Sequence, residues 1–142
     1  MEVMISLSVF ALVTVMFASS LMLGKSASKI NGQYAQAISL CQHKIDQLRA
    51  VGYGRLTYAE LNDAGIVDGN PTTSPYSFVL SDQVASYLPK IDKNTPPIAT
   101  LAITNHTDSR VKIATVTVTW KASPNRSTRS TVTMTAYIAN AD

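Results

Sequence analysis

The sequence predicts an α+β fold, and three features predict it. Residues 3–23 carry no charge at all. A helical apolar period then continues to residue 50. The last third alternates apolar and polar side chains with the period of two that a half-buried strand requires.

Composition sets the outer limits. The chain has 142 residues, enough for one domain of ordinary size. Hydrophobic residues make up 46% and charged residues 15%, with mean hydropathy +0.10, which excludes a disordered polyelectrolyte. A net charge of +3 is too mild to imply a nucleic-acid partner by itself. One cysteine excludes an internal disulfide, a CxxC redox pair and a multi-cysteine zinc site. Two histidines, His43 and His106, have no ligand cluster around them in the sequence. No cofactor, metal or catalytic residue is expected, because no acid/base pair or nucleophile–base set stands out.

Residues 1–24 form the first division of the chain, a hydrophobic transmembrane or assembly helix. The run 3–23 holds 21 residues, five of them polar. At about 1.5 Å per residue it spans roughly 30 Å, the thickness of a bilayer's hydrocarbon core. Gly24, Lys25, Ser26 and Lys29 follow as a basic polar exit. A cleaved signal peptide fits poorly, since the early charge is the acidic Glu2 rather than a basic one. A plain signal anchor is a second reading. The third is a helix that sits in lipid and later packs in a protein assembly. Glu2 is the discriminating oddity: a carboxylate beside a membrane span is costly unless it is paired, and the alternative is a Glu2 lying in the headgroup region with no partner.

Residues 25–142 form the second division. Ile30, Tyr34, Ala37, Ile38, Cys41, Ile45 and Leu48 recur three or four apart and predict one apolar stripe on a helix over 25–50. Asn31, Gln33, Gln36, Gln42, Asp46 and Arg49 are assigned to the opposite, polar face. His43 and Lys44 are also placed on the helix surface. The glycines of Val51-Gly52-Tyr53-Gly54 stop the helix. Its whole length is then about 75 Å.

Residues 51–97 connect helix to sheet. Thr57 and Glu60 have capping-box spacing and Gly65 follows as a stop, which predicts a short helix over 57–64. Asp68-Gly69-Asn70-Pro71 reads as a turn. Residues 76–80 are a strand candidate, 81–88 are ambiguous and 89–97 are a Pro-bearing loop. The oxygen-rich stretch Asn62 to Asn70 lacks the spacing of a calcium loop.

Residues 98–140 are the antiparallel sheet. A strand covers 98–104. In 111–121, Ala114, Val116, Val118 and Trp120 share one face, and Thr115, Thr117, Thr119 and Lys121 the other. In 128–139, Val132, Met134, Ala136 and Ile138 face inward against Thr131, Thr133, Thr135 and Tyr137. Ser123-Pro124-Asn125 supplies the turn between them. The result is a hairpin with a threonine-rich outer face and an apolar inner face that matches the helix stripe. The sequence leaves the strand order open.

The run Glu2-Val3-Met4-Ile5-Ser6-Leu7-Ser8-Val9-Phe10-Ala11-Leu12-Val13 resembles the start of type IV pilins and type II secretion pseudopilins. The helix end from Leu40 to Tyr53, Leu-Cys-Gln-His-Lys-Ile-Asp-Gln-Leu-Arg-Ala-Val-Gly-Tyr, is similar to the minor pilins called PilV and to the I-type pseudopilins. The strands at 114–120 and 132–139 are similar to the same subgroup. The resemblance implies a pilin-like fold, a long helix on a C-terminal antiparallel sheet. It implies a non-enzymatic minor pilin or pseudopilin that assembles into, or primes, a type IV pilus or a secretion pseudopilus. Its implied partners are other pilin or pseudopilin subunits, the bacterial inner membrane, and a prepilin peptidase acting on a leader upstream. It places the head in the periplasm, and the assembled subunit in a surface pilus or periplasmic pseudopilus. It gives Glu2 the role of pairing with the methylated terminal amine of a neighbouring subunit. Val3, Ile5, Leu7, Val9, Phe10, Leu12, Val13, Met16 and Phe17 would pack in the filament bundle. If Glu2 is the family's glutamate, a few mature residues and the leader belong upstream of Met1. The family's paired C-terminal cysteines and its helix-softening proline have no counterpart here, as expected of a minor rather than a major subunit.

Two other readings stand beside this one. Arg110, Lys112, Lys121, Arg126 and Arg129 fall within 20 acid-free residues flanking the hairpin. A DNA-binding competence pilin would use such a set against phosphates. Against it, Trp120 is in phase with the buried face, and strand edges carry Lys and Arg to block aggregation. The last reading is a monomeric, membrane-anchored periplasmic domain. On the pilin-like reading, the head presents loops 66–75 and 89–97 and the hairpin to neighbours or ligands.

Overall fold

The computed structural model describes residues 2–123 and 127–140, with Glu2 described by its backbone alone. The chain is α+β. α1 spans Glu2–Val51, α2 Tyr58–Asp63 and α3 Val84–Tyr87; a 3-10 turn covers Tyr53–Arg55. Four strands follow the order of the chain, β1 Tyr76–Ser77, β2 Ile98–Asn105, β3 Val111–Trp120 and β4 Ser130–Ala139. They form one antiparallel meander, β1-β2-β3-β4. Two compact units divide the chain, Met1–Gly32 and Gln33–Asp142.

The first unit is helix alone. Residues 3–29 are exposed throughout. Four of its polar side chains are satisfied within the helix. The hydroxyls of Ser8, Thr14, Ser19 and Ser20 donate to the carbonyls of Met4, Phe10, Val15 and Met16 at 2.8–3.1 Å. Such back-bonding lets a hydroxyl sit on an apolar helix without an outside partner.

In the second unit, residues 33–51 of α1 pack on the inner face of the sheet. Ala37, Cys41, Ile45 and Leu48 meet Ala114, Val116, Val118, Trp120, Ala136 and Ile138 in one core, all 5% exposed or less. The buried helix row differs from the expected stripe. Tyr34 and Ile38 remain 36% and 41% exposed, while Gln33 and Lys44 are buried. Both polar residues are in phase with Ala37, Cys41 and Leu48, and both find partners. Gln33 Oε1 accepts from the Trp120 indole N–H at 3.2 Å, and the Tyr34 ring meets the same indole edge-on at 4.9 Å. The face assignment of Gln33 and the surface placement of Lys44 are thereby corrected. A hydrogen-bonded amide or ammonium is stable inside where an unpaired one is not.

Helix ends follow backbone chemistry. Gly52 takes φ +82 and Gly65 φ +67, the left-handed values at which Gly carries no steric penalty. α2 starts after Thr57, but the Thr57 side chain makes no capping hydrogen bond. β1 ends at Ser77, short of the expected 76–80. Phe78 N still donates to Ala99 O at 3.1 Å, but Leu80 N turns instead to the Asp68 carboxylate. The ambiguous 81–88 contains α3. β3 ends at Trp120 and β4 begins at Ser130; Pro124, Asn125 and Arg126 lie outside the described residues.

The connecting region supplies core as well as linkage. Leu56, Leu61, Ile66, Val67, Phe78, Val84, Leu88 and Ile91 are all buried. Loops 66–75 and 89–97 are therefore exposed only in part: Ile66, Val67, Asp68, Ile91 and Pro97 point inward. The outer sheet face carries a threonine ladder. Hydroxyls of Thr115 and Thr135, Thr117 and Thr133, and Thr119 and Thr131 lie 3.1–3.5 Å apart across β3 and β4. Opposed threonines of this kind stabilise a strand pair.

Candidate functional site

The first candidate is the apolar helix. Val3, Ile5, Leu7, Val9, Phe10, Leu12, Val13, Met16 and Phe17 are all exposed, from 51% at Val13 to 80% at Val3. The helix is long and apolar enough to cross a membrane, and none of its most apolar window is covered by the described chain. A soluble monomer ordinarily exposes apolar patches of only a few hundred Å². Membrane anchoring is compatible with it. Glu2, the expected pairing carboxylate, has its side chain outside the described residues.

The second candidate is a polar centre that sequence reasoning missed. Lys44 is fully buried. Its Nζ donates to Asp82 Oδ1 at 2.9 Å and to the Ile66 carbonyl at 2.7 Å. It also lies 4.9 Å from the centroid of the Phe78 ring. Burial pushes its pKa below the ordinary lysine value, and the nearby Asp82 and Asp68 carboxylates pull part of the way back. Its partners come from positions 66, 78 and 82, which carry no periodicity. The one legible signal was Lys44's own phase on the stripe. The centre ties the connecting region to α1.

Asp68 organises the adjoining loop. Its carboxylate accepts from the Ser77 hydroxyl at 2.5 Å, the Ser81 hydroxyl at 2.7 Å, Ser81 N at 2.8 Å and Leu80 N at 3.2 Å. Burial alone raises its pKa. The Ser77 and Ser81 hydroxyls and the Ser81 and Leu80 amides outweigh that, so the carboxyl titrates below the usual value. The unfolded carboxyl titrates near 3.9. The stabilisation is therefore complete above about pH 5, and it is lost as pH falls through the unfolded value and then the lower folded pKa. Asp68→Asn is expected to lower stability at pH 7 by roughly 2–4 kcal/mol, because an amide nitrogen then faces backbone donors. Urea midpoints of the two proteins should converge as the pH is taken below 4. A difference that persists unchanged into acid would contradict this role.

The basic set does not converge among the described residues. Arg110 sits in the β2–β3 turn, where its backbone N–H donates to Asp108 Oδ1 at 2.9 Å. Lys112 donates to the Tyr53 carbonyl at 3.2 Å and lies over the Tyr53 ring at 4.7 Å. Tyr53 in turn donates its hydroxyl to the Ser109 carbonyl, which fastens the end of α1 to this turn. Lys121 is at the far end of β3, 4.0 Å from Asp92 Oδ1. Arg129 is exposed beside it, just before β4. β3 separates the two groups by roughly 30 Å at about 3.4 Å per residue. Arg126 lies outside the described residues. Trp120 is fully buried.

Cys41 is buried, and burial raises its thiol pKa to about 11, which makes it a poor nucleophile at neutral pH. The His43 ring is 3.0 Å from the Gln47 amide on the helix surface, and His106 Nδ1 accepts from Asp108 N at 3.1 Å. Among the described residues no three His, Cys, Asp or Glu side chains gather as a metal-holding group. Comparison with protein-family models, curated proteins and solved structures finds no match to this chain.

Proposed function

We propose that this chain is a non-enzymatic pilin-like subunit, a minor pilin or pseudopilin. It works by assembling into, or priming, a filament through its N-terminal helix. The observation that carries the reading is the charge-free, uncovered helix face of residues 3–23. Before assembly, lipid covers that face and holds the subunit in the inner membrane with its head in the periplasm. In a filament, neighbouring helices replace the lipid. Ser19, Ser20 and Gly24 allow the close approach that helix packing without water requires. Glu2 pairs with the terminal amine of the adjacent subunit and sets axial register, since an unpaired carboxylate in such a bundle costs several kcal/mol.

Two variants in native cells separate anchoring from assembly. Leu12→Arg adds about 3 kcal/mol to membrane insertion at the helix centre and should empty both the membrane and the sheared-filament fractions. Glu2→Ala should stay in the membrane fraction and disappear from sheared filaments. If the unmodified chain fractionates with the inner membrane and never with filaments, it is a monomeric anchored domain and the assembly reading fails.

A further inference from the structure

Among the described residues β4 is the long free edge of the sheet, and the strand itself carries none of the usual blocking side chains. The Asn140 N–H donates to the Arg110 carbonyl at 2.8 Å, so even-numbered β4 residues bond to β3. The backbone N–H and C=O groups of Thr131, Thr133, Thr135, Tyr137 and Ala139 therefore face outward from the edge. All five residues are exposed. From Ser130 to Ala139 there is no charge, proline or glycine. Natural edges of this length are blocked by such residues or covered, because bare edges recruit strands.

The edge is also self-complementary. Threonines at 131, 133 and 135 are symmetric about 133, and all three belong to the outward-bonding set. Val132 and Met134 on the inner face are only half-buried, whereas Ala136 and Ile138 are buried. The apolar layer is unfinished over the same segment. We infer that two copies of this chain pair β4 to β4, antiparallel, about a two-fold axis at Thr133. Thr131 then opposes the partner's Thr135, which extends the threonine ladder across the join. Val132 opposes the partner's Met134, which completes the apolar layer. The pairing stands apart from the filament reading, since it involves the head alone.

The test uses the full chain in detergent micelles. In a hydrogen-bonded antiparallel pair the two Cα atoms at the axis are about 5.5 Å apart, within disulfide range. Thr133→Cys should form a covalent dimer on mild oxidation, about tenfold faster than Thr117→Cys, which sits on the same face one strand inward. Association through the N-terminal helix alone would cross-link both positions equally and overturn the inference. Thr133→Pro removes an N–H that β3 does not use and is tolerated on an edge. It should keep the buried emission of Trp120 and lose the dimer by mass measurement. A dimer fraction unchanged by this proline would equally overturn it, as would absence of any 133–133 cross-link.

Discussion

Lys44→Met in the full chain is expected to lower the stability of the unit Gln33–Asp142 by about 3–5 kcal/mol. The side chain has no solvent access, and it is the donor to Asp82 Oδ1 and to the Ile66 carbonyl. Methionine fills a similar volume but leaves a buried carboxylate and a carbonyl without their donor. Asp82 Oδ2 already has no donor among the described residues, so the carboxylate has no alternative pair to fall back on. Asp82→Leu alone should be costly for the mirror reason, a buried ammonium stripped of its counter-charge. Combining the two removes both charges, and an apolar pair in such a place is often neutral. The double variant should therefore recover most of the loss, with a coupling on the order of 2 kcal/mol. Urea unfolding in micelles, followed by the emission of the single tryptophan, measures all three variants. Single-variant losses below about 1 kcal/mol would mean that the ion pair is incidental to stability.

What the sequence could and could not reveal follows the same physics. The strands were legible because one face is apolar and the other threonine, over ten residues each in β3 and β4. A one-residue slip there would expose the whole apolar set, so pattern and register agree. The end of α1 was legible from Gly52, whose positive φ other residues adopt at a penalty. The burial of Gln33 and Lys44 showed only in their phase with the stripe, because periodicity counts apolar residues and both are polar. Their burial depends on Trp120, Asp82 and Ile66, each distant along the chain. The same holds for the short β1, cut by the demand of Asp68 for backbone donors. The apolar helix is legible in composition alone, as the charge-free run 3–23.

Trp120→Ala is expected to lower stability by about 3–5 kcal/mol, the range for emptying a large aromatic site in a core. Trp120 has no exposed surface, and it joins β3 to α1 through the Tyr34 ring and the Gln33 amide. Trp120→Phe keeps most of the apolar contact and removes the indole donor, leaving Gln33 Oε1 buried and unpaired. Its expected loss is about 1–2 kcal/mol. The order of the two variants separates packing from hydrogen bonding in this core. It also bears on the nucleic-acid reading of the hairpin. A tryptophan that stacked on bases would be removable at little cost to the fold, with the loss appearing in DNA affinity. Far-UV circular dichroism during urea unfolding reports stability after the chromophore is gone, and a salt series of DNA binding reports affinity. A large stability loss for alanine, a small one for phenylalanine and no phosphate-dependent affinity in the unmodified chain would place Trp120 wholly in the core. Unchanged stability in Trp120→Ala together with weakened DNA binding would reverse that assignment and reopen the hairpin as a contact surface.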